Sequence, residues 1–200
     1  MERDRDEKKC RECMSSKPDP ELRLPYPLCR RCYDSTAKMM SDYKKSRKNF
    51  SPEIDQIEEN LFLGNEDAAL DKDLLKSKGV THVLAVGTYL EMRFPDDFVY
   101  ESILVEDDPF QNISQYFKKA IKFIQSSKVL FVHCAAGMSR SATIVIAYTM
   151  FAKKMSFEEA HNYVKERREV VCPGSGFRKQ LEEFEVLLKE GKFLLDDVDS

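Results

Sequence analysis

Residues 133–141 read His133-Cys134-Ala135-Ala136-Gly137-Met138-Ser139-Arg140-Ser141. A cysteine stands near the start of this stretch and an arginine near its end. Residues 129–132 before it are apolar, and residues 142–152 after it are mostly apolar in a helical pattern. The stretch therefore joins a buried strand to a helix. Such a turn aims backbone N–H groups and a helix N-terminus at one point, which makes an anion site. Free cysteine titrates near pH ~8.5, and helix N-termini and cations lower that to roughly 3.5–7.5. Cys134 is accordingly expected as a thiolate at neutral pH. A sulfur anion beside a bound phosphate ester can attack its phosphorus. Arg140 offers a planar fork for two phosphoryl oxygens. Ser141 is placed to donate its hydroxyl to the sulfur and steady it as a leaving group. His133 is expected to order the loop by hydrogen bonding, with no part in proton transfer. A buried structural cysteine beside a surface arginine would explain an isolated cysteine, but not these nine residues together.

A thiolate that expels an oxygen leaving group needs an acid. Val105-Glu106-Asp107-Asp108-Pro109 supplies two adjacent aspartates in a polar loop after an apolar run. Loops at the carboxyl ends of strands are where sites form in α/β sheets. An Asp before Pro is also common in plain turns. The residues by themselves leave Asp107 and Asp108 both open.

The elements that must position these groups follow from periodicity. Ile54, Ile57 and residues 61–63 read as one short opening strand near a turn at Gly64-Asn65. Ala68, Ala69, Leu70, Leu74 and Leu75 share helical spacing, and Gly79 ends that helix. Residues 80–86 form a buried strand stopped at Gly87, in which His82 has no catalytic duty. Residues 98–105 form another strand. Residues 113–125 are an amphipathic helix with Phe117, Ala120, Ile121 and Ile124 on one face. Residues 129–132 are the central strand and residues 140–153 a buried helix. Ser156-Phe157-Glu158-Glu159 is a capping box opening the next helix, with Tyr163 and Val164 packing inward. Cys172-Pro173-Gly174-Ser175-Gly176 is a break, and Cys172 is read as a structural cysteine. Phe177, Leu181, Phe184, Leu187 and Leu188 mark the last helix, ended by Gly191. Strands alternating with helices imply an α/β domain with a central, mostly parallel sheet flanked by helices.

The chain has 200 residues, enough for one domain with an extension. Its net charge of -3 hides an asymmetry. Residues 1–50 hold 14 Lys+Arg and 9 Asp+Glu, a net of +5; the remainder holds 18 and 26, a net of -8. The acidic part argues against nucleic acid as a partner. No apolar run approaches the roughly 20 residues of a membrane span, and the charged first residues do not resemble a secretory signal. A cytoplasmic or nuclear home is expected, where cysteines are reduced, metal-bound or catalytic.

Cys10-Arg11-Glu12-Cys13 and Cys29-Arg30-Arg31-Cys32 are separated by residues 14–28. Two such pairs at this spacing read as a four-cysteine zinc site, each turn presenting two thiolates to one tetrahedral ion. The intervening loop carries Pro18, Pro20, Pro25 and Pro27 and too few apolar residues for a core. Zinc at Cys10, Cys13, Cys29 and Cys32 would supply the folding energy. Such a module could bind a protein partner, hold the main domain, or only stabilise the terminus. The short basic run at residues 44–48 reads as a solvated linker. The chain thus divides into the module and linker at 1–50, a main domain at 51–195 and an acidic tail at 196–200.

The stretch from His133 to Ser141 resembles the signature loop of the cysteine-dependent protein phosphatases, and more narrowly that of the dual-specificity protein phosphatases. Further marks of that family are Leu61-Phe62-Leu63-Gly64-Asn65 with Asp67-Ala68-Ala69, Ala147-Tyr148-Thr149-Met150, and Gly176-Phe177 before Gln180-Leu181. The resemblance spans about residues 53–190. It implies hydrolysis of phosphotyrosine and of phosphoserine or phosphothreonine in phosphoproteins, no cofactor for catalysis, and a phosphocysteine on Cys134. It implies that residues 135–140 bind the phosphate and that Asp107 is the general acid, aligned through Val105-Glu106-Asp107. Two departures stand out. The family often has Asn after the proline where this chain has Gly174, and the four-cysteine extension lies outside the family's catalytic core.

Two other functions compete. A phosphoprotein-binding scaffold with little activity would lack the cysteine, the arginine or the acid, and all three are here. A phosphatase for a lipid or RNA phosphate would line the loop with lysines, whereas Ala135, Ala136, Met138 and Ser139 are neutral.

Overall fold

A computed structural model describes Arg30, Arg31 and residues 51–195. Cys10, Cys13, Cys29 and Cys32, the basic run at 44–48 and the acidic tail lie outside the described residues.

The main domain is a five-stranded sheet flanked by helices. In chain order the elements are β1 (Ile54–Glu58), β2 (Leu61–Gly64), α1 (Glu66–Ala69), α2 (Lys72–Ser77), β3 (His82–Val86) and β4 (Val99–Ile103). A 3-10 turn (Ser114–Tyr116) then leads into α3 (Phe117–Ser126), β5 (Leu130–His133), α4 (Arg140–Lys153), α5 (Phe157–Arg167) and α6 (Ser175–Lys189). The strand order is β1-β2-β5-β3-β4. Only β1–β2 is antiparallel; β2–β5, β5–β3 and β3–β4 are parallel. The opening segment is therefore a hairpin rather than one strand, because Glu59 and Asn60 reverse the chain between Ile57 and Leu61.

The period of two in the strands sorts the core into two layers. Leu61, Leu63, Leu84, Val86, Leu130 and Val132 face α3, α4, α5 and α6. Phe62, Val83 and Phe131 face the other way, onto Ala68, Ala69, Leu75 and Phe98. Helix α4 is buried along nearly its whole length, from Ser141 to Met150, as its uniformly apolar sequence demands. Its bounds match the sequence reading. The helical pattern at 68–75 is split in two because Asp71 accepts from Leu74 N–H and starts a new helix. Ser156 and Glu159 form the expected reciprocal cap of α5. In α6, Phe177, Leu181 and Phe184 are buried, whereas Leu187 is exposed at 43%. Tyr163 is half-buried, with Arg167 stacked on its ring.

This topology fixes where the site must be. Gly64, His133 and Ala85 are register partners at the carboxyl ends of β2, β5 and β3. The loop leaving His133 thus emerges mid-sheet, at the edge where the chain after β4 also arrives. Among the described residues no helix is long and apolar enough to cross a membrane.

Candidate active site

The loop between β5 and α4 is built by where its carbonyls go. Ala135 O accepts from Glu66 N–H at 3.2 Å, and Met138 O from Cys172 N–H at 2.9 Å. The carbonyls of Ala136 and Gly137 accept from the Arg168 guanidinium at 3.1 and 2.8 Å. A planar trans peptide places each N–H opposite the preceding C=O. Carbonyls tied outward therefore turn the N–H groups of residues 136–139 inward. Gly137 N–H illustrates the result by donating to Cys134 Sγ at 3.2 Å. Gly137 has φ +67, and a Cβ there would stand 2.3 Å from Gly64 O. Only glycine lets the loop lie this close to the end of β2.

Cys134 is buried at the base of the loop. Ser141, in the first turn of α4, donates its hydroxyl to Cys134 Sγ at 3.1 Å. Arg140 opens α4, and its side chain is 13% exposed. Its guanidinium lies against Gly87, where a Cβ would sit 2.6 Å from Nη1. Arg140 Nε is buried without a hydrogen-bond partner among the described residues; its nearest carboxylate oxygen is Asp107 Oδ2 at 3.7 Å. Two oxygens of a phosphoryl group would meet the planar guanidinium on that side through Nε and Nη.

The two aspartates have different surroundings. Asp107 Oδ1 accepts from Ser139 Oγ–H at 2.7 Å, and its other oxygen faces Arg140. Asp108 Oδ1 accepts from Phe110 N–H at 2.8 Å and closes its own turn. Ser139 Oγ also accepts from Gly174 N–H at 3.2 Å, so one hydroxyl joins the loop, Asp107 and the start of α6. The Asp107 loop is held from behind as well. Gln180 accepts from the N–H groups of Ile113 and Ser114 and donates to Gln111 O. The absence of a side chain at Gly176 admits Pro109, whose carbonyl would stand 2.0 Å from a Cβ.

His133 is the last residue of β5. Its ring is fully buried and stacked on Phe131, with centroids 5.5 Å apart and planes 8° apart. Neither ring nitrogen has a hydrogen-bond partner among the described residues. The Cys134 backbone favours the charged ring. Packing against Phe131 holds the ring in place. Burial, with a further contribution from Arg140, pushes its pKa down to about 4, and the ring is neutral at pH 7. His82 lies edge-on to Phe123, away from the loop. Cys172 is exposed and forms no disulfide among the described residues.

The structure thus brings together His133, Cys134, Ala135, Ala136, Gly137, Met138, Ser139, Arg140, Ser141 and Asp107. Three contributors carried no site signal in the sequence: Arg168, Gln180 and, as space for Arg140, Gly87. Their roles depend on contacts between segments far apart in the chain. Among the described residues no group of three or more His, Cys, Asp or Glu side chains is arranged to hold a metal ion.

Comparison with known proteins agrees with the geometry. The dual specificity phosphatase catalytic domain family matches residues 61–186. "Dual specificity protein phosphatase 1" of Arabidopsis thaliana is 42% identical over 133 residues, covering 64% of this chain and 67% of its own length. Among solved structures, the human tyrosine phosphatase-like serine/threonine/tyrosine-interacting protein has a TM-score of 0.64 at 32% identity, covering 68% of this chain and 97% of its own. The Yvh1 phosphatase domain from Chaetomium thermophilum has a TM-score of 0.62 at 28% identity, covering 72% and 100%. With its signature loop, its sheet and its family match in agreement, the chain belongs to the dual specificity protein phosphatases.

Proposed function

We propose that the reaction runs through a phosphocysteine on Cys134. The phosphate of a phosphotyrosine, phosphoserine or phosphothreonine side chain sits in the loop of residues 135–140, on the inward N–H groups of residues 136–139 and on the Arg140 fork. The Cys134 sulfur attacks phosphorus and the ester P–O bond breaks. Asp107, as the carboxylic acid, gives its proton to the departing oxygen. In the second step the Asp107 carboxylate takes a proton from water, whose oxygen attacks phosphorus. The P–S bond then breaks and sulfur leaves as thiolate, steadied by the Ser141 hydroxyl. Arg140 and the loop amides hold the equatorial oxygens through both steps, where most of the catalytic effect of phosphoryl transfer lies.

The observation that carries this reading is the convergence on Cys134 Sγ of the Ser141 hydroxyl and Gly137 N–H, with Asp107 arriving from a separate loop. The neutral side chains of Ala135, Ala136, Met138 and Ser139 favour a protein phosphomonoester over a polyanionic lipid or RNA substrate. One solved neighbour is named a tyrosine phosphatase-like interacting protein, so a binding role is the competing reading. The Cys134, Arg140 and Asp107 set favours turnover. Hydrolysis of an aryl phosphate, assayed in chelator, separates the two: turnover lost in Cys134→Ser supports the mechanism, and wild-type protein that binds phosphopeptide without turnover favours the scaffold.

We also propose that residues 51–195 form the catalytic domain and that Cys10, Cys13, Cys29 and Cys32 bind a structural zinc ion, on the strength of their spacing. The module would then serve a protein partner rather than the chemistry. Metal analysis of the full chain under reducing conditions tests this, and absence of stoichiometric zinc removes it.

A further inference from the structure

We propose that Arg168 is a positioning residue for the reaction: it holds residues 136 and 137 so that the loop amides face the phosphate, and Glu53 and Asp55 anchor it from behind. This rests on residues 134–140 being the phosphate loop.

Arg168 follows the last turn of α5, with its own N–H bonded to Val164 O. From there its side chain passes under the loop and is 2% exposed. A buried guanidinium costs several kcal/mol unless it is paired and its donors are used. Four acceptors use them. Nε donates to Gly137 O at 2.8 Å and Nη2 to Ala136 O at 3.1 Å. Nη1 donates to Asp55 Oδ2 at 2.6 Å and Nη2 to Glu53 Oε2 at 2.9 Å. The planar fork thus has one edge on the loop and the other on β1 and the residue just before it. That end of β1 is fixed in turn. Asn65 Oδ1 accepts from Glu53 N–H at 3.1 Å, and Asn65 N–H donates to Glu53 O at 3.1 Å.

The consequence for the chemistry comes from peptide geometry. A trans peptide whose carbonyl points at Arg168 must point its N–H to the other side. Arg168 therefore orients the N–H groups of Gly137 and Met138, and Gly137 N–H is seen directed at Cys134 Sγ. Without the guanidinium, both carbonyls lose a charge-assisted partner and the two peptides are free to rotate. Preorganised donors are worth most where anionic charge builds up, because they need no reorganisation as it forms. Lysine cannot replace this fork, since its donors radiate from a single nitrogen.

The test uses the full chain with Arg168→Lys, Arg168→Met, and the pair Glu53→Gln with Asp55→Asn. Folding is checked by melting, tungstate affinity by calorimetry, and kcat and KM on an aryl phosphate. In folded Arg168→Lys, tungstate affinity is expected to fall by about tenfold and kcat/KM by on the order of 10²-fold. The carboxylate pair, replaced at half-exposed positions, is expected to move both in the same direction by a smaller factor. Folded variants with a lower Tm but wild-type tungstate affinity and kcat/KM would show that Arg168 is only structural, and would overturn the inference. If Arg168→Met does not fold, Arg168→Lys and the carboxylate pair decide by the same readouts. The comparison is repeated with Cys134→Ser. Tungstate binding reports the loop without needing the nucleophile, so turnover surviving in Cys134→Ser would defeat the phosphocysteine mechanism while the Arg168 effect on tungstate still decided this inference.

Discussion

The Ser139 hydroxyl donates to Asp107 Oδ1 at 2.7 Å while accepting from Gly174 N–H, so a residue of the phosphate loop aims the carboxyl from another loop. Removing the hydroxyl leaves Asp107, on a largely exposed segment, without that aim. A hydrogen bond between neutral groups is worth about 0.5–1.5 kcal/mol net, so Ser139→Ala is expected to lower kcat by up to about tenfold on poor leaving groups. The loss should shrink with an activated aryl phosphate, whose departing oxygen needs little proton assistance. Equal losses on both substrates would place Ser139 in phosphate binding alone.

The neighbouring aspartates are expected to separate cleanly. General acid catalysis contributes typically ~10²–10⁴-fold, so Asp107→Asn should lose about 10²-fold or more in kcat on an alkyl phosphate. Asp108→Asn, which keeps an acceptor for Phe110 N–H, should stay close to wild type. A larger loss from Asp108→Asn would reverse the assignment.

Gly87 gives Arg140 its room. A Cβ there would stand 2.6 Å from Arg140 Nη1 and 3.1 Å from Leu90 Cδ1 at a backbone φ of +157, so Gly87→Ala is expected to displace the guanidinium at some cost in stability. Misplacement of a binding group by about 1 Å is costly. The inhibition constant of inorganic phosphate should rise by about tenfold, measured by competition against an aryl phosphate. An unchanged constant would mean that the fork accommodates the methyl group.

His133 makes stability depend on acid. Burial pushes its pKa down to about 4, while the unfolded chain takes up that proton near 6.5. Between those values the unfolded state binds more protons, so stability falls as pH drops from 6.5 towards 4, by about 3 kcal/mol for this group. Burial also lowers His82 and His161, and both add to the same slope. Melting of wild type and His133→Gln across this window should show the shallower decline in the variant. Parallel declines would remove His133 as a main source.

The fold is legible in the sequence where local signals are strong. Helix α4 was legible because nothing interrupts its apolar run, and the cap at Ser156 because both its partners lie within four residues. The grouping of Cys134, Arg140 and Ser141 is legible because they share one short turn. The opening hairpin was not, since Glu59 and Asn60 lack the usual turn glycine. The resemblance implies Asp107 over Asp108, whereas the residues by themselves do not separate them, because the Ser139 contact that sets Asp107 apart spans 32 positions of sequence. Arg168 reads as one more charge at the end of a helix until Ala136 and Gly137 fold over it, and Leu187 follows the helical pattern yet finds no core beneath it.

Phosphoryl transfer to Cys134 is tested most directly by rapid acid quench of the enzyme turning over a phosphotyrosine peptide in chelator, followed by mass spectrometry of the Cys134 peptide. A phosphate adduct on Cys134 is expected, accumulating further in Asp107→Asn with an activated aryl phosphate and absent in Cys134→Ser along with turnover. Turnover that persists in Cys134→Ser with no adduct on the wild-type cysteine would contradict the mechanism.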